Sequence, residues 1–397
     1  MELTFDKLAL LLLIAAVVAI VTQRFHVPYN VGLVAAGMIL ALSPFSPNVA
    51  LTRDLLFNAL LPPLIFEAAF SLSWRDLRRD LPLVLVLASV GVILSAGITA
   101  AGIHYLGHWE WISALAFGTL IAATDPVSVI ATFRQAGARG RLLLLIESES
   151  LFNDGTAVVA FGVVLASALG HKPGAFEITN MLLQTVCGGI VCGAIVAAGA
   201  LLLAGRTTDH LVEISFTTVA AYGSFLLAEH FRLSGVLATL TAGLLSGNFR
   251  SFDTISERGK EAVRAFWDYA VFVVNSMVFL LIGMHEARQQ LATVWMTAVL
   301  AILIVTLGRS VAIYPCCLLF RWSSLRVSTA HQHVLFWGGL RGALALALAL
   351  ALPSEIPQRE NIITVSFAVV IFSIFVQGLT IRPLLLRMGE ITRTTSG

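Results

Sequence analysis

Apolar stretches of about 20 residues follow one another along this chain, with few charges inside them. A helix of that length crosses the hydrocarbon core of a bilayer and satisfies its own backbone hydrogen bonds. Of the 397 residues, 58% are hydrophobic and 12% are charged, whereas soluble proteins have roughly 25% charged residues. The sequence therefore predicts an all-α polytopic membrane protein.

Glycines, prolines and charged clusters divide the apolar pattern into thirteen candidate transmembrane spans. The first is interpreted as a true span, because the preceding segment MELTFDK is net acidic and no clear A-x-A cleavage site follows. No soluble domain is indicated, so we expect a single transmembrane domain over 1–397. The approximate limits of the spans are 8–22, 29–43, 51–73, 81–104, 111–133, 142–169, 180–204, 211–229, 234–248, 264–284, 292–319, 329–352 and 361–386.

The distribution of Lys and Arg between the loops predicts the orientation. Seventeen of them lie at the C-terminus or in loops that follow odd-numbered spans, and six lie at the N-terminus or in the other loops. Because cytoplasmic loops are enriched in basic residues, we expect the N-terminus outside and the C-terminus in the cytoplasm of a cell (inner) membrane protein. The net charge of +2 gives no indication of a nucleic-acid partner.

Several carboxylates lie deep inside the predicted spans, where charge is costly and usually marks an ion pair or an ion path. Glu67, Asp125, Glu149 and Asp154 are far from span ends, and Glu147 is nearer the cytoplasmic side. Such acids need either buried basic partners or a hydrated cavity. They are therefore candidate functional residues.

The sixth span carries two polar stripes. Ser150 and Asp154 are four residues apart and share one face of a helix, and Glu149 and Asn153 share a different face. One stripe could hold an ion while the other docks on a neighbouring helix. The buried basic residues available for that docking are Arg309 and Arg341, in the eleventh and twelfth spans.

Two spans contain a break near their middle. In ATDPVSV, Pro126 removes a backbone donor and disfavours helix at Asp125, so that Thr124 and Asp125 could present oxygens at membrane depth. In GGLRG, three glycines surround Arg341. Broken spans at matching positions of two halves indicate an inverted repeat, here about 1–175 and 208–390, joined by a linker helix at about 180–204.

Six motifs together resemble the monovalent cation:proton antiporter family, in its prokaryotic sodium/proton exchanger type. They are LPPLIFEAAF, ATDPVSV, ESESLFNDGTAVV, FVVNSMVFLLIGM, GRS and GGLRGALALALAL, and they occur in the family's order over spans three to twelve. The Asn153-Asp154 pair looks like the hallmark of the electroneutral branch. The resemblance implies two inverted six-helix repeats with unwound helices that cross at the midplane, usually in a homodimer.

By the same resemblance, Asp154 alternately binds the cation and the proton. Asp125, Ser150 and Thr124 resemble further Na⁺ ligands, Asn153 is expected among the residues that bind the cation or the proton, and Glu67 resembles an acid near the site in some relatives. Glu149 looks like the partner of a buried arginine, with Arg309 favoured over Arg341. The expected function is secondary antiport of Na⁺, or of Li⁺ or K⁺, for H⁺, with no cofactor and a role in pH and sodium homeostasis.

Elementary chemistry agrees with this expectation. Na⁺ is a hard cation that prefers oxygen ligands, and a carboxylate in a partly dehydrated site takes up a proton more readily than one in water. A single carboxylate that cannot hold both ligands at once exchanges one for the other. Rocking of one helix bundle against another would expose it alternately to the two sides.

Three other functions fit some of the same residues. An intramembrane aspartyl protease would use Asp125 and Asp154 as its dyad, but the Gly-x-Gly-Asp signature expected for that class is missing. A channel would not need a single titrating carboxylate beside buried arginines. A sodium-coupled carrier of an organic solute would need a roomier polar cavity.

Overall fold

The fold is described from a computed structural model of the chain. It describes residues 5–25, 27–44, 47, 49, 51–125, 127–135, 140–168, 175–248, 257–287 and 294–391. Pro126, from which the break in the fifth span was predicted, lies outside these residues. The described part is helical throughout and contains no β-strand, which confirms the predicted fold class.

The described residues form fifteen helices, which lie at the positions of the predicted spans. They are α1 Phe5–Phe25, α2 Tyr29–Leu42, α3 Leu55–Ser71, α4 Trp74–Gly107, α5 Trp111–Ala122, α6 Val127–Gln135, α7 Arg141–Ala168, α8 Ala175–Ala204, α9 His210–His230, α10 Gly235–Asn248, α11 Glu257–Glu286, α12 Trp295–Leu319, α13 Thr329–Trp337, α14 Ala343–Leu350 and α15 Arg359–Met388.

Eight helices in the described ranges are long and apolar enough to cross a membrane, and three shorter ones are apolar along their length. The fifth predicted span is divided into α5 and α6, and the twelfth into α13 and α14, so thirteen predicted spans account for the fifteen helices. Large apolar side chains point outward on several helices, such as Ile20, Ile195 and Leu303, which are 69%, 65% and 64% exposed. Lipid tails solvate such side chains as well as a protein core does.

Two helices begin well before the predicted limits. α4 begins at Trp74 instead of residue 81, and α11 begins at Glu257 instead of residue 264. The added turns are charged, and Ser73 caps the first of them by accepting a hydrogen bond from the amide of Asp76. Hydropathy locates the apolar part of a helix and misses such polar turns, which capping stabilises outside the hydrocarbon.

The helices pack into two bundles. One contains α1–α3 and α8–α11, and the other contains α4–α7 and α12–α15. Glycines permit close crossings within each: a Cβ on Gly37 of α2 would overlap with the carbonyl of Leu280 in α11, and one on Gly118 of α5 would overlap with that of Ala96 in α4. Small residues at crossings are the usual means of close helix packing in lipid.

The broken helices meet in the middle of the second bundle. The amide of Asp125, between α5 and α6, donates to the carbonyl of Leu340, between α13 and α14, at 2.7 Å. This contact is the only bridge of extended backbone among the described residues. The unwound segments cross there, as the family resemblance implied.

Candidate cation-binding site

A cavity of about 260 Å³ lies between the two bundles and reaches the crossing point. α3 and α11 form one wall, and α6, α7, α14 and the segment before α6 form the other. No basic residue of the described chain lines it. Its polar lining consists of Glu67, Ser71, Thr124, Asp125, Glu147, Ser150, Asp154 and Asn275.

The two stripes of α7 face different surroundings. Glu147, Ser150 and Asp154 line the cavity, whereas Glu149 and Asn153 are 2% and 1% exposed and do not line it. This division follows from the helical period, because residues three, four and seven apart share a face. The cavity stripe contains the oxygen ligands that suit a hard cation, and the other stripe packs into the second bundle.

Thr124 joins the start of the break to α7. Its hydroxyl donates to Ser150 Oγ at 3.2 Å, and the Ser150 hydroxyl donates to the Thr124 carbonyl at 2.5 Å. The Asp154 carboxylate lines the cavity beside these two residues. Asp154 Oδ1 is buried and has no hydrogen-bond partner among the described residues. Hydroxyl, carbonyl and carboxylate oxygens therefore converge on one point, with one carboxylate oxygen available to a ligand.

Asp125 caps a half-helix and faces a second one. Its Oδ1 accepts a hydrogen bond from the amide of Val127, the first residue of α6, at 3.0 Å. A Cβ on Gly342, just before α14, would overlap with the Asp125 carboxylate. Asp125 thus lies at the N-termini of two half-helices, where the helix dipoles favour negative charge.

The ion pair predicted for Glu149 is formed with Arg309 of α12. Nη1 and Nη2 of Arg309 donate to Oε1 and Oε2 of Glu149 at 2.8 and 2.9 Å, and Nη2 also donates to the carbonyl of Leu335 at 3.0 Å. Asn153 extends the pair, since its amide donates to Glu149 Oε1 at 3.4 Å and to Thr124 Oγ1 at 3.1 Å. A buried polar network links the ion pair to the residue beside the cavity.

Arg341 has a different arrangement. Its Nη1 donates to the carbonyls of Ala122 and Ala123 at 3.0 and 3.2 Å, so that a positive charge lies at the C-terminal end of α5. Its own amide donates to Ser373 Oγ at 2.8 Å, in a π-helical turn of α15. The break in the twelfth span therefore supplies a cation that offsets the negative end of a half-helix dipole.

Some cavity residues were not found by sequence reasoning. Asn275 and Ser71 face the site from the first bundle, beside Glu67, whose carboxylate accepts a hydrogen bond from Ser71 at 2.9 Å. Asn275 is a single amide in the apolar run FVVNSMVFLL, which was used for the resemblance but not for the site. A polar side chain inside a span was the available signal.

Residues 10–387 match the family described as sodium/hydrogen exchanger, transmembrane. The chain belongs to the sodium/hydrogen exchanger family. It is 40% identical over 370 residues to the Na⁺/H⁺ antiporter ApNhaP of Aphanothece halophytica, which covers 92% of this chain and 70% of the relative. It is 32% identical over 402 residues to the Na⁺/H⁺ antiporter NhaH of Halobacillus aidingensis. That match covers 97% of this chain and 98% of the relative.

The fold agrees with a solved member of this group. The sodium proton antiporter MjNhaP1 of Methanocaldococcus jannaschii superposes with a TM-score of 0.74 at 20% identity, over 97% of this chain and 96% of that one. Family membership and fold confirm that the protein is a multi-pass secondary transporter and not an enzyme. The hypothesis of an aspartyl protease was therefore rightly disfavoured.

Proposed function

We propose that the protein exchanges Na⁺ for H⁺ across the membrane, and that Asp154 binds the two in competition. The observation that carries this proposal is the position of Asp154 at the crossing, with Oδ1 free of protein partners among the described residues. Thr124, Ser150 and Asp125 supply the neighbouring oxygens. Li⁺ and K⁺ remain alternative substrates, because carboxylate, hydroxyl and carbonyl oxygens suit any hard monovalent cation.

The burial of the site explains why the two ligands exclude each other. A carboxylate removed from water is costly in its charged form unless a cation neutralises it. The site is then favourable when Asp154 holds either Na⁺ or H⁺. An unloaded site would carry an uncompensated charge, so the loaded states are the ones that cross between the two sides.

The location of the cavity supports alternating access. It lies between the two bundles, and its outer part contains Ser71 and Glu147, near the ends of α3 and α7 that the charge bias assigns to the cytoplasm. We infer an N-terminus outside, a C-terminus in the cytoplasm and residence in the cell membrane. Relative rotation of the bundles would close this side and open the other.

The crossed half-helices also support an internal repeat. We propose that about 1–175 and 208–390 form two inverted halves, with the linker helix at about 180–204, because α5–α6 and α13–α14 are broken at corresponding positions. A homodimer is the assembly expected of the family, and light scattering of the purified protein in detergent would test it. A role in pH and sodium homeostasis follows from the proposed exchange.

Purified protein in liposomes with an internal pH-sensitive dye tests the proposed function. Addition of Na⁺ to one side should drive protons to move in the opposite direction, and Li⁺ and K⁺ are then compared. Asp154→Asn should abolish the response, because the amide keeps the shape of the side chain and loses the exchangeable charge. The exposed Asp76→Asn is the matched control and should behave like wild type. Wild-type exchange by Asp154→Asn would contradict the proposal.

A further inference from the structure

Leu237 of α10 is packed into a notch beside Asp154. A Cβ on Gly155, the next residue of α7, would lie 2.5 Å from Leu237 Cδ2 and 3.1 Å from its Cγ. Gly155 is buried and Leu237 is 8% exposed. The absence of a side chain at Gly155 therefore creates the space that the isobutyl group of Leu237 fills.

A second glycine forms the other side of the notch. A Cβ on Gly189 of α8 would lie 3.4 Å from Leu237 Cβ and 2.8 Å from the carbonyl oxygen of Ser234. Leu237 thus lies between α7 and α8, in one continuous apolar cluster with Ala157 and Val159 of α7. Closely packed apolar side chains of this kind leave no room for water or a hydrated cation.

The cavity ends where this contact begins. Along α7 it is lined by Glu147, Ser150, Leu151 and Asp154, and no described residue of α7 beyond Asp154 lines it. The helix continues through Gly155 into the apolar cluster. In this conformation, the cavity is therefore lined along α7 from Glu147 to Asp154, and the Leu237–Gly155 contact follows at the next residue.

The two residues belong to different bundles, since α7 is in the second and α10 is in the first. Any movement that opens the far side of Asp154 must separate them. We infer that Leu237 is the gate residue that seals the cation site on the side away from the cavity, with Gly155 as its seat. This inference rests on the proposed exchange. It identifies a contact that is formed when the cavity is open at the Glu147 end and broken when the other side is open.

If Leu237 is the gate, a substitution there changes the apparent Na⁺ affinity on one side of the membrane and not on the other. A substitution that weakens the Leu237–Gly155 contact lowers the population of the conformation whose cavity is open at the Glu147 end. The apparent affinity on that side falls in proportion to the fraction of protein in the competent conformation. The affinity measured from the opposite side does not fall, because the competing conformation gains population. A purely structural defect would affect both sides alike.

The test combines a substitution that adds volume with one that removes it. Each variant is reconstituted into liposomes in which the protein has a single orientation. Gly155→Ala adds a methyl group that meets Leu237, and Leu237→Ala removes the side chain that it meets. We expect each single variant to raise the KM for Na⁺ about tenfold on the side of the Glu147 end, with no increase on the other side. The double variant Gly155→Ala/Leu237→Ala should return the KM to within about threefold of wild type, because the methyl group occupies the hole.

Two controls match these changes. Gly162→Ala adds a methyl group on the same helix where nothing lies within 4 Å, and Leu240→Ala removes another buried leucine, 3% exposed, from α10. Both should leave unchanged the ratio of the KM for Na⁺ measured on the side of the Glu147 end to the KM measured on the other side. Melting in detergent separates misfolding from gating. If Gly155→Ala does not fold, the graded pair Leu237→Val and Leu237→Ala gives the same test, with a larger sided shift for alanine.

Equal KM increases on both sides would overturn the assignment of Leu237, as would a double variant no better than the worse single one. These outcomes leave the proposed function intact, because exchange by the wild-type protein is measured in the same preparation. Failure of the wild-type protein to exchange Na⁺ for H⁺ would instead contradict the proposed function. The two failures are therefore distinguishable.

Discussion

Arg309 holds Glu149 by both carboxylate oxygens, with Nη1–Oε1 and Nη2–Oε2 distances of 2.8 and 2.9 Å. The pair joins α12 to α7, the helix that carries Asp154, and both side chains are almost fully buried. Bidentate geometry fixes the orientation of both partners as well as their separation. The ion pair lies on the face of α7 that points away from the cavity. It therefore fixes the rotation of α7 about its own axis.

We expect Glu149→Gln to destabilise the protein more than it changes the KM for Na⁺. Loss of one member of a buried ion pair leaves the other charge uncompensated and costs about 3–5 kcal/mol. Thermal melting in detergent, with the exposed Glu355→Gln as control, measures the effect. A double-mutant cycle of Glu149→Gln with Arg309→Gln should show coupling larger than the cycle with Arg341→Gln. Equal coupling in the two cycles would contradict this assignment.

Gly342→Ala should impair cation binding while the protein still folds. A Cβ at this position would lie 2.7 Å from Asp125 Cγ and closer still to two neighbouring atoms of that side chain. Because Cβ is fixed to the backbone, the two crossing segments must shift apart and displace Asp125, and we expect the KM for Na⁺ to rise about tenfold or more, equal to about 1.4 kcal/mol. Gly97→Ala, where nothing lies within 4 Å, is the control. An unchanged KM in Gly342→Ala would show that the position of Asp125 is not critical.

Hydropathy and spacing were sufficient to predict the helices and the two faces of α7. The limits of the apolar segments follow from the thickness of the bilayer, and the separation of Ser150 and Asp154 from Glu149 and Asn153 follows from the helical period. Both depend only on local sequence. They could therefore be predicted without knowledge of the packing.

The contacts between distant segments could not be predicted in this way. Arg309 and Arg341 are equivalent in the sequence as buried cations, but one pairs with Glu149 and the other caps the end of α5. The packing of α12 on α7 gives Arg309 its role, and the crossing of the two broken spans gives Arg341 its own. Leu237 likewise looks like any apolar residue of a span, and its seat at Gly155 depends on how two bundles meet.

Arg341→Gln should lower the thermal stability of the protein, because two backbone carbonyls lose their hydrogen-bond donor. The carbonyls of Ala122 and Ala123, which accept from Arg341 Nη1, would lose a charged donor at a buried helix end. Each acceptor left unsatisfied costs about 1–3 kcal/mol. Arg341→Lys should recover part of the loss, because it retains the charge and lacks the planar fork. The exposed Arg321→Gln is the control in melting experiments, and equal melting temperatures for Arg341→Gln and wild type would contradict the capping role.

Asn153 lies beside the Glu149–Arg309 pair and outside the cavity lining. An aspartate at this position would face the Glu149 carboxylate across the 3.4 Å that the asparagine amide now spans. Two carboxylates would then compete for one guanidinium, since like charges at that distance repel. We therefore expect Asn153→Asp to lower the melting temperature, with the exposed Asn361→Asp, in the first turn of α15, as the control. A melting temperature equal to that of wild type would show that the amide is not needed by the ion pair.

Exchange should be electroneutral, with one Na⁺ for one H⁺. The Asn153 amide cannot take up a proton in exchange for a cation. We propose that Asp154 is the one carboxylate that changes ligand in each cycle. No net charge then crosses the membrane. The test imposes a potassium diffusion potential with valinomycin across proteoliposomes and determines the Na⁺ gradient at which proton flux reverses. That gradient should be the same at every imposed potential. A reversal point that shifts with voltage would show that unequal charges are exchanged, and would require a second titrating carboxylate, for which Asp125 in the cavity lining is a candidate.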